Sequence, residues 1–137
     1  MQIIHHRINN IRELEKIPLN HGIEFDVRYH ENELILCHDP FNHNKNKETK
    51  LNELIAKWEC KGPLILNLKS EGIENACIEI MKEYNVKNFF FLDMSIPFLV
   101  SYSEKIYQKQ INYLTQENLA VRFSDKEPIE FALSFKG

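Results

Sequence analysis

Two carboxylates set two residues apart, Glu24 and Asp26 within GIEFDVR, are the most chemically suggestive pair in this sequence. Alternate residues of an extended strand share a face, so both side chains project the same way. Two like charges facing inward from a buried strand are costly unless a cation neutralises them, and hard oxygen ligands suit Mg²⁺ or Ca²⁺. The competing reading is an exposed strand face, with Phe25 and Val27 packed inward. Three more polar groups follow apolar runs: His5-His6-Arg7 after QII, His38-Asp39 after ELILC, and Asn67-Leu68-Lys69 closing PLILNLK. A histidine with a reference pKa of ~6.5 exchanges protons near neutrality, so His6 and His38 read as a candidate acid and base. Arg7 suits phosphate oxygens through its planar fork, and Lys69 as a point charge. Taken singly, each of these side chains also reads as ordinary solvated surface; their shared place after apolar runs joins them.

The elements that must position them alternate along the chain. Gln2–His5 reads as a short strand. Asn10 is placed to cap a helix with Glu13 in a capping-box arrangement, and Ile11, Leu14 and Ile17 supply its apolar stripe before Pro18. Gly22–Arg28 and Glu33–Cys37 read as strands joined across a short polar turn, and Asn42–Lys50 as a polar loop. Thr49 is placed to cap a helix carrying Leu51, Leu54, Ile55 and Trp58 on one face. Pro63–Leu68 is almost continuously apolar, as in strands buried on both faces of a parallel sheet. Ile73, Ala76, Cys77, Ile80, Met81 and Tyr84 fall at helical spacing. Phe89–Leu92 is a further buried strand, and Ser95 with Pro97 opens the next helix. Ala120–Phe123 reads as another strand and Pro128–Phe135 as the start of a helix, while Gln108–Gln116 has no clear pattern.

This alternation predicts an α/β fold with a mostly parallel sheet, in which site residues belong at the C-terminal strand ends. About five parallel strands are counted, an incomplete TIM-barrel-like arrangement, since a closed (β/α)₈ barrel takes roughly 200 residues or more and the sequence has 137. One domain spanning 1–137 is expected, either a piece of a longer protein lacking the C-terminal barrel half or an oligomer that covers the open strand edge.

Bulk properties narrow the function. The formal net charge is −3 with both signs scattered, which argues against nucleic acid as a partner. No apolar run reaches the ~18 residues of a membrane span, and the start does not read as a signal peptide. Cys37, Cys60 and Cys77 lack CxxC spacing and read as reduced, mostly buried thiols of a cytoplasmic protein. Phe89–Phe91 and Trp58 read as core, and His21, His30 and His43 as water-facing loop residues.

His6-Arg7, Gly22-Ile23-Glu24-Phe25-Asp26-Val27 and His38-Asp39-Pro40 resemble, in order and spacing, the HR…GxExDV…HDP series of glycerophosphodiester phosphodiesterases. That family has a TIM-barrel fold, shared with phosphatidylinositol-specific phospholipase C and the spider-toxin phospholipase D enzymes. Asn67-Leu68-Lys69 sits where the family usually shows Glu-x-Lys, and Phe90-Phe91-Leu92-Asp93 is similar to its fourth strand. The likeness spans roughly residues 3–100 and is strongest at the start.

The resemblance implies a metal-dependent hydrolase of lipid metabolism acting on a small-molecule phosphodiester. It implies His6 and His38 as acid and base, Arg7 and Lys69 on the phosphate, and Glu24, Asp26 and the Asn67 position around Mg²⁺ or Ca²⁺. In that family a substrate hydroxyl attacks phosphorus, giving a cyclic diester open to hydrolysis by water. The sequence departs from the family pattern twice: Ile8 replaces a glycine, narrowing the backbone approach, and Asn67 replaces an acidic ligand. These departures keep open a non-catalytic phosphate-binding homologue, and the short chain an assembly fragment.

Overall fold

The computed structural model describes residues 1–40, 47–59, 61–122 and 128–134. Cys60, His43, Phe123, Phe135 and most of the Asn42–Lys50 loop lie outside the described residues. The chain forms β1 (Ile4–His5), α1 (Ile11–Leu14), β2 (Gly22–His30), β3 (Glu33–Leu36), α2 (Leu51–Ala56), β4 (Leu64–Leu68), α3 (Glu74–Glu83), β5 (Phe89–Leu92), α4 (Ile96–Tyr107) and α5 (Ile129–Ser134).

Four strands, β1, β2, β4 and β5, run parallel in that spatial order, and β3 folds back antiparallel on β2. Among the described residues the count of about five parallel strands is therefore corrected to four. The candidate fifth, Ala120–Phe123, forms no ladder over its described residues 120–122; the neighbouring Leu119 makes an isolated parallel bridge to Phe91. The reason is local. A 3₁₀ turn at Gln116–Asn118 is nailed to β5 by the buried Asn118 amide, which donates to the Phe89 carbonyl oxygen at 2.6 Å. Two residues past Ala120, Arg122 is held by an ion pair to Asp93 at 3.0 Å, so the ladder stops.

The hairpin between β2 and β3 turns on Glu31 and Asn32, both with positive φ (46° and 65°), the requirement of a type I′ turn. Gly22 and Gly62 permit close strand entry. A Cβ on Gly22 would lie 2.5 Å from the Pro63 carbonyl oxygen, and one on Gly62 2.1 Å from that of His21.

Helix starts shift slightly from the sequence reading. Asn10 caps α1 by accepting from the Glu13 amide at 2.9 Å, but the Glu13 carboxylate returns to the Asn9 amide rather than to Asn10. Lys50, not Thr49, is the N-cap of α2, where its amide donates to Glu53 at 3.0 Å. Ser95 occupies the N-cap position of α4 without a side-chain capping hydrogen bond among the described residues, and Pro97 lies in the first turn.

The core sits between the sheet and its helices. Phe25, Leu66 and Phe91 from three adjacent strands are fully buried, as are Leu51 and Leu54 of α2 and Met81 of α3. Each such side chain contributes roughly 1.5–3 kcal/mol of transfer free energy. Phe89 joins them, and Trp58 packs partly buried against the cluster. Cys37 and Cys77 are buried and not disulfide-bonded, and burial pushes the Cys77 thiol pKa far up.

The buried stripe of α3 is rotated from the expected one: Glu74, Cys77, Ile78 and Met81 face inward, whereas Ala76 and Tyr84 are exposed. One carboxylate oxygen of Glu74 has no hydrogen-bond partner among the described residues. Burial, then the Glu71 charge, raises its pKa against the opposing effect of its own amide hydrogen bond. An acid whose pKa is raised by folding contributes stability that is intact below its ordinary value of 4.5 and is lost as pH climbs through the raised one. Glu74→Gln should therefore flatten the decline of stability as pH rises from 4.5 toward neutrality. Urea melts across that range check this; equal slopes for both proteins would contradict it.

Candidate functional site

The parallel register fixes where the polar side chains lie. His5 pairs with Ile23, so His6 leaves the end of β1 level with Glu24, and Asp26 on β2 pairs with Asn67 on β4. Both carboxylates are inside: Glu24 is 3% exposed and Asp26 0%, which excludes the exposed-face reading of β2.

Backbone geometry after β1 serves Glu24. Arg7 adopts a left-handed φ of 56°, which aims its amide at Glu24 Oε2 at 2.9 Å, and the Ile8 amide reaches the Glu24 carbonyl oxygen at 2.9 Å. The Ile8 side chain is buried in the core cluster and does not narrow the mouth. The left-handed position is Arg7, so the residue after it needs no glycine here.

Glu24 Oε1 accepts from Asn67 Nδ2 at 3.0 Å, and His6 Nδ1 lies 3.5 Å from Oε2, with the ring 77% exposed. Asp26 Oδ2 accepts from Asn9 Nδ2 at 3.0 Å, while Asn9 Oδ1 accepts from the Asp26 backbone amide at 2.9 Å. Asp26 Oδ1 and Asn67 Oδ1 are buried without a hydrogen bond among the described residues. Buried oxygens of this kind are rarely left unsatisfied, and two on hydrogen-bonded neighbouring strands beside a second carboxylate fit a hard cation. His, Cys, Asp and Glu do not suffice for it: no group of three or more of them is gathered to hold a metal among the described residues. The fit depends on the Asn67 amide oxygen.

Cationic groups surround this acidic centre. Lys69 Nζ lies 3.8 Å from Asp26 Oδ1 and 3.7 Å from Asp93 Oδ2, distances of ion pairing rather than hydrogen bonding. The Arg7 side chain is exposed, and no hydrogen bond or ion pair holds it among the described residues. His38 is exposed after β3; its carbonyl oxygen is fixed near Lys69, but no hydrogen bond or ion pair joins its ring to the Glu24 group among the described residues. The structure thus gathers His6, Glu24, Asp26, Asn67 and Lys69 through direct contacts, and His38 only through its backbone.

The link to His38 is Arg28, which the sequence reading did not single out. Its guanidinium donates to the carbonyl oxygens of Cys37 at 3.0 Å, His38 at 2.7 Å and Lys69 at 3.3 Å, tying the ends of β3 and β4 together. A lysine cannot reproduce three directed donors. Arg28→Lys should therefore cost about 1–3 kcal/mol, read as a lower urea midpoint at unchanged slope; a wild-type midpoint would deny Arg28 this role.

Asn9 and Arg122 also escaped the sequence reading, and Asp93 entered it only through the likeness of its strand to the family's fourth. Asn9 clamps Asp26, and Asp93, at a left-handed φ of 60° after β5, joins Lys69 to Arg122. Only the place of Asp93 behind an apolar strand could have signalled it. Two histidines read as water-facing loop residues are half-buried, His21 in the loop before β2 as read and His30 on the strand itself. His21 stacks on His5 with Nδ1 2.9 Å from His5 Nε2, and His30 is the last residue of β2, 3.8 Å from the Glu31 carboxylate. No described helix is long and apolar enough to cross a membrane. Comparison of the chain with protein-family models, curated proteins and solved structures gave no match.

Proposed function

We propose that this chain is a metal-dependent phosphoric diester hydrolase acting on a glycerophosphodiester or a related small-molecule phosphodiester, built on part of a TIM-barrel-like fold. The observation that carries the reading is the pair of buried oxygens without a hydrogen bond among the described residues, Asp26 Oδ1 and Asn67 Oδ1, beside buried Glu24 on adjacent parallel strands. Mg²⁺ or Ca²⁺ held by Glu24, Asp26 and Asn67 would offset the two carboxylates and supply Lewis-acid polarisation of a phosphoryl oxygen.

The remaining roles fall to side chains. Lys69 and Arg7 bind the non-bridging phosphoryl oxygens. His6 presents Nδ1 to Glu24 at 3.5 Å, which favours the proton on Nδ1 and leaves Nε2 as the basic atom. Nε2 takes the proton of a substrate hydroxyl as its oxygen bonds to phosphorus, and the departing alcohol oxygen receives a proton from His38. The products are a cyclic phosphodiester and a free alcohol.

A panel of glycerophosphodiesters assayed with Mg²⁺ or Ca²⁺ tests this, with ³¹P NMR to detect the cyclic product and His6→Ala as control. Turnover that chelator removes supports it; no turnover on any diester with either metal rejects it. A second reading, a phosphate-binding module without turnover, is favoured by the position of Lys69 between Asp26 and Asp93, where its charge already compensates the acidic group. Tight diester binding without hydrolysis would select that reading.

A further inference from the structure

Lys69 sits between two carboxylates and hydrogen-bonds to neither. Its Nζ lies 3.8 Å from Asp26 Oδ1 and 3.7 Å from Asp93 Oδ2, and no hydrogen bond holds it among the described residues. The two partners differ. Asp26 is fully buried, and its Oδ1 has no hydrogen bond among the described residues. Asp93 is half-buried after β5, and its other oxygen, Oδ1, accepts from Arg122 at 3.0 Å. The Lys69 backbone is pinned: its amide donates to the Val27 carbonyl oxygen at 2.9 Å, and its own carbonyl oxygen accepts from Arg28 at 3.3 Å. A flexible four-carbon stem on a pinned backbone lets the ammonium move between the two acids while the strand end stays still.

We propose that Lys69 is the resident counter-ion of Asp26 Oδ1, that it yields this oxygen when a divalent cation binds, and that Asp93 is the positioning residue that receives its ammonium. The inference rests on the metal reading of Glu24, Asp26 and Asn67. Three observations carry it. A buried carboxylate needs a compensating charge, and Lys69 is the only ion-pair partner of Asp26 among the described residues. That pairing is longer than a hydrogen bond, so little directed bonding is lost when it opens. Asp93 offers the ammonium a second carboxylate at nearly the same distance, already held in place by Arg122. A divalent cation on Asp26 Oδ1 would face Lys69 at close range, where like charges repel and a buried setting screens them poorly. Drawn to Asp93, the ammonium keeps its donors near the site for phosphoryl oxygens.

Calorimetric titration of the whole chain with Mg²⁺ and with Ca²⁺, without any phosphate ligand, tests this independently of turnover. Lys69→Gln, which removes the competing charge, should tighten cation binding about fivefold or more. Asp93→Asn, which leaves the ammonium to Asp26 alone, should weaken it about tenfold, and Asp93→Glu should restore most of that loss. The double variant is decisive: in the Lys69→Gln background, Asp93→Asn should cost less than about threefold. If Asp93 merely attracted the cation through space, its loss would cost the same in both backgrounds. Equal losses, or a Lys69→Gln protein that binds the cation no more tightly than wild type, overturn the inference and leave the metal site standing. Asp93→Asn also releases Arg122, so thermal melts accompany the titrations; if that variant does not fold, the Lys69→Gln result decides alone. A wild-type chain that binds neither cation in the millimolar range rejects the metal reading and the inference together.

Discussion

His6→Ala should lower kcat on a glycerophosphodiester by about 10²–10⁴-fold, the usual worth of a general acid or base. It should leave the thermal midpoint almost unchanged, because the His6 ring is 77% exposed and its contact with Glu24, at 3.5 Å, is loose. The separation of these two effects is what identifies a chemical rather than a structural role. His38→Ala should lower kcat over the same range, since one histidine accepts the proton that the other must supply. Its exposed ring and its place behind the Arg28 tether predict an equally small effect on folding. Wild-type kcat in either variant, measured with saturating substrate and metal, would remove that histidine from the acid–base pair.

The second large effect is expected at Asn67. Its Nδ2 donates to Glu24 Oε1 at 3.0 Å, and its oxygen is, with Asp26 Oδ1, one of the two site oxygens buried without a hydrogen bond among the described residues. Asn67→Glu removes the donor and adds a negative charge beside Glu24 and Asp26. Without a divalent cation, like-charge repulsion and the lost hydrogen bond should destabilise the protein by about 1–3 kcal/mol. With Mg²⁺ or Ca²⁺, the added charge should tighten binding about tenfold or more and reverse the loss. Calorimetry and thermal melts with and without the cation read the two halves separately. Unchanged affinity in a folded variant would show that the residue at 67 does not contact the cation.

Much of this molecule was legible in the sequence because the relevant signals are local. The alternation of short apolar runs with helical spacing announced the α/β arrangement, and PLILNL and FFFL declared themselves as strands. Ser95 and Pro97 marked a helix start through the chemistry of the first turn alone. The two-residue spacing of Glu24 and Asp26 placed them on one face, and strand-end logic brought His6, Asn67 and Lys69 to the same place.

Other facts depended on how separate elements meet. Whether Glu24 and Asp26 faced water or the interior was open from sequence, because alternation specifies a common face but not which side is covered. Burial beneath Asn9, Arg7 and Asn67 decided it. Nothing local distinguishes Asn9 or Arg28 from any polar residue; their partners lie 17 residues away for Asn9 and up to 41 for Arg28. The rotated face of α3 followed from packing, which buried Glu74, a residue outside the apolar stripe read from helical spacing. The missing fifth strand has the same origin: Ala120 and Val121 have strand-like character, but the Asn118 anchor and the Asp93–Arg122 pair fixed the path of the chain. Sequence determined which residues could do chemistry and on which elements they ride; the tertiary contacts decided which carboxylates are desolvated, and desolvation makes those carboxylates candidate ligands rather than surface charge.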